Sequence, residues 1–149
     1  MKLSPDLREF IALCLSERVE FILVGAHALA FHGAPRFTED IDLLVLCAPS
    51  NAEKILRVLA DFGFGALGLT REDFLEEDQV IQLGRAPNRI DLLTGISGVT
   101  WDEVRASRVE VKLDGLACFA IGREALIVNK RATGRTQDLA DVERLTRGQ

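Results

Sequence analysis

Cysteine is scarce in this chain, and its spacing excludes most of what cysteine does. Cys14, Cys47 and Cys118 are an odd number, widely separated, each within an apolar run. With no Cys-x-x-Cys pair and no Cys/His cluster, neither a structural zinc site nor a disulfide framework can be drawn. Buried free thiols in a reducing compartment are the expectation. Long apolar runs are missing too: none approaches the ~18 residues of a membrane span. The opening MKLSPDLREF carries charge where a secretory signal has its apolar core. These absences point to a cytoplasmic protein with no membrane partner. Lysine is rare, with only Lys2, Lys54, Lys112 and Lys130 among 18 basic residues, the rest being arginine. The arginine fork matches phosphate and carboxylate, though it also packs on ordinary surfaces. A basic excess is lacking as well. The net charge of −5 does not draw nucleic acid to the surface as a whole, which leaves only a local basic groove for such a role.

What is present reads as one domain over 1–149, since 149 residues leave no room for two independent cores. A domain of this size buries roughly 68–70% of its unfolded surface and folds without staples. The 48% hydrophobic and 28% charged content is that of an ordinary globular chain. Repeats, low-complexity tracts and linkers are absent from the sequence.

Ser4-Pro5 caps a first helix whose apolar face is Leu7, Phe10, Ile11, Cys14 and Leu15. Glu20 to Val24 and Ile41 to Leu46 read as buried strands, separated by a short Ala-rich helix that Gly33 and Pro35 stop. Ser50 to Glu53 has the form of a capping box opening a helix that Gly63 closes, with Ile55, Leu56, Leu59 and Phe62 on its apolar face. Gly63 to Gly68 reads as a loop, and the acidic run Glu72 to Asp78 as a solvated helix face. Val80 to Leu83 and Arg89 to Leu93 form a predicted hairpin. A second capping box spans Thr100 to Glu103, and Asp114-Gly115 joins two further strands in the strongest hairpin signal of the chain. Two C-terminal helices are expected between about 123 and 146, the last lined with Arg135–Asp138 and Asp141–Arg144 pairs. Helices and hairpins intermix, so the predicted class is α/β (α+β) with a mixed sheet.

Chemistry concentrates between Val24 and Val45. Asp40 and Asp42 open a strand, whose period of two puts both carboxylates on one face and Ile41 on the other. Neighbouring carboxylates repel unless a cation sits between them. Mg²⁺ takes oxygen ligands, commonly carboxylates together with substrate phosphates. Asp91 is the candidate third carboxylate, because a lone Asp among Ile90, Leu92 and Leu93 needs a partner. The plainer readings are a solvated strand start for Asp40 and Asp42, and an edge-strand surface position for Asp91. Gly25 to Ala28 forms a strand-to-helix turn of the kind that offers free N–H groups to an anion.

Gly25-Ala26, thirteen intervening residues, and then Asp40-Ile41-Asp42 within an apolar strand resemble the signature of the DNA polymerase β-like nucleotidyltransferases. The string HGAPRFTEDIDLLV and the ending NKRATGRTQDLADVERL are similar to the small bacterial members, including those of toxin–antitoxin and abortive-infection systems. The resemblance covers most of the chain. It implies a minimal nucleotidyltransferase fold, two Mg²⁺ ions (or Mn²⁺ in their place) held by Asp40, Asp42 and Asp91, and transfer of a nucleotidyl group from an NTP to a hydroxyl acceptor. Asp91 would serve as the base. The acceptor is left as a protein, a tRNA or a small molecule, and a partner protein or homodimer as an open expectation. Position 26 departs from the pattern, which has Gly or Ser there. Ala offers no hydroxyl to a phosphate, so a degenerate domain acting as a binding or antitoxin-like partner is the alternative.

Several neighbours carry two readings. Arg36 is either a phosphate clamp or an ion-pair partner of Glu39 or Asp40. Thr38 is either a nucleotide contact or a strand-start hydroxyl. Lys130 is a phosphate contact by resemblance, or else a helix C-terminal charge ahead of Gly134. His27 faces the nucleotide or is structural, His32 complements a helix end, and Trp101 reads as a core or staple residue rather than a base-stacking platform.

Overall fold

In the computed structural model, residues 2–85 and 88–147 are described; the Ala86-Pro87 pair of the expected hairpin loop lies outside them. The element order is α1 (Pro5–Ser16), β1 (Phe21–Val24), α2 (Gly25–Phe31), β2 (Asp40–Val45), α3 (Pro49–Phe62), β3 (Val80–Leu83), β4 (Arg89–Leu93), α4 (Trp101–Ser107), β5 (Val109–Leu113), β6 (Leu116–Ala120), α5 (Arg123–Thr133) and α6 (Thr136–Thr146). The strands form one six-stranded sheet in the order β3-β4-β2-β1-β6-β5. It is mixed, as expected: β2/β4 and β1/β6 run parallel, and the other pairs antiparallel. The Asp114-Gly115 turn has positive φ at both residues, as a two-residue hairpin of the right twist requires.

Two apolar layers sandwich the central strands. Leu23, Ile41, Leu43, Ile90 and Leu92 face α1 and α3, meeting Phe10, Ile11, Ile55 and Val58. Ile22, Val24 and Leu44 face the other way, toward Ala28 and Leu29 of α2, Leu126 of α5 and Val142 of α6. Strand periodicity therefore assigns Asp40, Asp42, Arg89 and Asp91 to the face that α2, α5 and α6 cover. Trp101 packs, half-buried, against this second layer, as a core residue should. Cys14 and Cys118 are buried free thiols, pushed up to about 12 and about 11 by burial, while Cys47 is only partly buried.

Ser4 caps α1 by accepting from the Leu7 N–H. The capping box expected at Ser50 does not form: α3 begins at Pro49, with Ala48 as its uncapped N-terminal residue. Proline at the first helical position has its φ already set and no N–H to satisfy, so it displaces the start by one residue. Asn51 is then free to turn inward. Fully buried, it accepts from the Glu20 N–H at 2.7 Å and donates to the carbonyls of Glu20 and Leu46 at 3.1 and 3.0 Å. The acidic run is also not a helix face. Residues Arg71–Phe74 make one 3-10 turn, the Asp73 carboxylate accepts from the Thr70 N–H, and Phe74 is fully buried. A second 3-10 turn, Gly65–Leu67, occupies the expected loop.

Asn51→Ala would remove three part-buried hydrogen bonds and leave the Glu20 N–H without its acceptor, while the Glu20 and Leu46 carbonyls keep the Leu46 and Ala48 N–H donors. A loss of roughly 1–3 kcal/mol follows, read as a lower urea midpoint; an unchanged midpoint would show that water satisfies the Glu20 N–H.

Candidate active site

The parallel β2–β4 ladder pairs Asp40 with Arg89 and Asp42 with Asp91. Four charged side chains thus form a two-by-two array on one sheet face. Beside it, β1 pairs antiparallel with β2 and brings Val24 opposite Asp42, so Gly25 arrives directly against the Asp42 carboxylate. Its φ of +69° and the collision a Cβ would make with Asp42 Oδ2 both demand glycine. The glycine turn and the Asp-x-Asp strand are therefore parts of one construction.

Arg89 grips two of the three carboxylates. Its Nε donates to Asp91 Oδ1 at 3.0 Å, and its Nη2 donates to Asp91 Oδ2 at 3.1 Å and to Asp40 Oδ2 at 2.6 Å. Among the described residues no cation hydrogen-bonds Asp42 in this way. Burial first, then the charges of Asp91 and Asp40, push its carboxyl up to about 6, against a modest opposing pull from Lys130. Asp91 is 6% exposed on an internal strand, so the edge-strand reading is wrong. Thr38 Oγ1 accepts from the Asp40 N–H at 3.2 Å and shapes the strand start.

A cavity of about 550 Å³ lies above this array. Of the residues singled out from the sequence, Gly25, Ala26, Arg36, Thr38, Asp40, Asp42, Asp91 and Lys130 line it, whereas His27 does not. The opposite wall comes from α5 and the start of α6, with Asn129, Thr133, Arg135, Gln137 and Asp138. Lys130 is 5% exposed, and its Nζ reaches Asp138 Oδ1 at 3.3 Å and Asp141 Oδ2 at 3.1 Å. It is thus a buried ion-pair centre rather than a helix-end charge. Arg36 pairs with Asp141 at 3.3 Å instead of with Glu39 or Asp40. The expected Arg135–Asp138 pair exists at 2.7 Å, but Asp141 does not pair with Arg144, whose Nη2 donates to the Pro35 carbonyl at 2.6 Å. Burial alone would raise the Asp138 pKa; hydrogen bonds from Arg135 and Thr133 and the Lys130 charge overcome it and bring the carboxyl down to about 2. Burial lowers the pKa of His27, against the pull of neighbouring Asp40. His32 caps α2, with Nε2 donating to the Ile121 carbonyl at 2.8 Å, an anchor across the fold rather than a dipole effect alone.

The donor set fits a hard divalent cation: three carboxylates share one face, and one of them is short of positive charge. As they stand, no three acidic, imidazole or thiol groups among the described residues are grouped to hold a metal ion. The Arg89 guanidinium lies among the carboxylates, bridging Asp40 and Asp91. Sequence reasoning missed Arg89, although its spacing of two from Asp91 put it on the same strand face.

Residues 5–146 match the family described as "Nucleotidyltransferase of unknown function (DUF6036)". The chain belongs to this family. Two solved structures share its fold. One is a provisionally assigned nucleotidyltransferase from Thermotoga maritima, with 14% identity, a TM-score of 0.59, and coverage of 93% of this chain and 88% of that one. The other is an antigenic nucleotidyltransferase-like protein from Paracoccidioides brasiliensis, with 15% identity, a TM-score of 0.51, and coverage of 96% and 77%. No curated protein sequence matches the chain. Among the described residues no helix is long and apolar enough to cross a membrane.

The raised Asp42 pKa has a consequence for stability. Its folded value of about 6 lies above the ordinary 3.8, so between those values the folded state holds the extra proton. Stability therefore falls as pH rises through that window. In metal-free buffer, Asp42→Asn should stabilise the fold at pH 7.5 by roughly 1–2 kcal/mol, after discounting for solvent screening, and by nearly nothing at pH 4. Thermal melts that show the same difference at both pH values would contradict this placement of charge.

Proposed function

We propose that this chain is a metal-dependent nucleotidyltransferase that takes an NTP, moves its nucleotidyl group to a hydroxyl acceptor and releases pyrophosphate. The observation that carries the reading is the in-register pairing of Asp42 with Asp91, beside Asp40 and against Gly25, at the floor of a cavity of nucleotide dimensions. Asp40, Asp42 and Asp91 would hold Mg²⁺, two ions in the family pattern, or Mn²⁺. When bound, such ions neutralise phosphate charge and lower the pKa of an attacking hydroxyl.

The remaining work falls to the chain itself. The main-chain N–H groups at Gly25 and Ala26 meet the triphosphate from the sheet side. Arg36, Thr38 and Lys130 bound the cavity around it, and Arg135 adds positive charge on the far wall. Lys130 acts at a distance, because its amine is committed to Asp138 and Asp141. Asp91 accepts the acceptor's proton as the hydroxyl oxygen bonds to the α-phosphorus. The bond from that phosphorus to the bridging oxygen breaks, and pyrophosphate leaves. Positioning and charge neutralisation supply most of the rate in such transfers.

A protein, a tRNA end or a small hydroxylated molecule would serve as acceptor, with a toxin–antitoxin pair or a homodimer as the setting. The binding-only alternative that Ala26 raised is the weaker reading, because all three carboxylates are kept in one register.

Calorimetry of each NTP, with and without Mg²⁺, tests the site. Metal-dependent binding is expected, weakened about tenfold or more in an Asp40→Asn/Asp42→Asn variant. No binding at millimolar nucleotide would overturn the reading.

A further inference from the structure

Arg89 has an unusual place for a cation. It stands on the same strand face as Asp91, directly opposite Asp40, with its fork across both carboxylates. A bidentate guanidinium–carboxylate pair is among the stronger and more directional polar contacts a protein makes. Here one guanidinium serves two carboxylates that would otherwise repel each other and Asp42 across the ladder. Its side chain is 32% exposed and lines the cavity, so it can leave the carboxylates without disturbing the apolar layers beneath.

On the reading of the site proposed above, a divalent cation needs the same carboxylate oxygens. Arrival of the ion alone would displace the guanidinium and leave two cations facing each other with no new anion between them. Arrival of the ion with a triphosphate is different, because the phosphate oxygens present the planar, bidentate target that the fork already matches. We propose that Arg89 is a resident counter-ion: it holds Asp40 and Asp91 in the empty site and moves to nucleotide phosphate when a metal–NTP complex enters, so that metal and nucleotide bind well only together. Arg89 is thus a positioning residue whose removal separates metal binding from nucleotide binding.

Manganese titration of the full chain, followed by the electron paramagnetic resonance of free Mn²⁺, tests this with and without an α,β-methylene NTP analogue. The wild-type protein should bind Mn²⁺ weakly alone and at least about tenfold more tightly with the analogue, a coupling of ordinary size. Arg89→Gln should bind Mn²⁺ alone about tenfold more tightly than wild type, and the gain from the analogue should shrink to a few-fold at most. Arg89→Lys, which keeps the charge but loses the fork, should fall between the two, and it carries the test if the glutamine variant does not fold. Mn²⁺ affinities without nucleotide that are equal in wild type and variants would overturn the role of Arg89 while leaving the metal site standing. No Mn²⁺ binding by any protein, with or without analogue, would overturn both.

Discussion

Like-charge repulsion between Asp40, Asp42 and Asp91 is the constraint around which the rest of the site is arranged. Three carboxylates on one sheet face would push their strands apart if the strands were free to slip or splay. They are not free. β2 and β4 are paired in parallel register over five residues, and Ile41, Leu43, Ile90 and Leu92 anchor the opposite side of the same ladder in the apolar layer under α1 and α3. A one-residue slip would bury the carboxylates and expose that layer. Burial on one face thus fixes charge on the other. Arg89 offsets part of the repulsion; at Asp42 burial first, and then the charges of Asp91 and Asp40, hold the carboxyl up to about 6.

The far wall obeys similar electrostatics, with the signs arranged differently. Asp138 and Asp141 on α6 are almost wholly buried, and such groups persist only when paired. Lys130 from α5, Arg135 from the turn between the helices and Arg36 from the segment before β2 supply the charge. This network ties three separate pieces of chain around the cavity. It also explains why Lys130 and Arg36 are not free to reach far into it. The two walls differ in character: one is short of positive charge, while on the other each buried carboxylate is matched.

Much of this was legible in the sequence, and the reasons are local. The period of two put Asp40 and Asp42 on one face, Asp114-Gly115 announced its hairpin, and the Thr100–Glu103 box formed as written. Failures came where a local pattern competed with a stronger one nearby. Ser50 had the form of a cap, but Pro49 started the helix first and released Asn51 for a buried role that no short pattern encodes. The acidic run hid Phe74, a single core residue too isolated to register as periodicity. Partner choice was the least legible feature: Asp141 turned to Lys130 and Arg36, which only the packing of α6 against α5 and the β2 approach brings near. Arg89 was visible in principle, since its spacing from Asp91 matched the strand period, but its link to Asp40 required knowing that β2 and β4 are neighbours.

The central claim is that this carboxylate face moves a nucleotidyl group, and the position of the transferred phosphorus tests it most directly. The protein would be incubated with Mg²⁺ and candidate acceptors, using NTP labelled at either the α- or the γ-phosphorus. The account predicts that α-label becomes covalently attached to an acceptor while γ-label leaves as pyrophosphate, and that Asp42→Asn abolishes both. Attachment of γ-label, or α-label transfer that persists in Asp42→Asn, would contradict it.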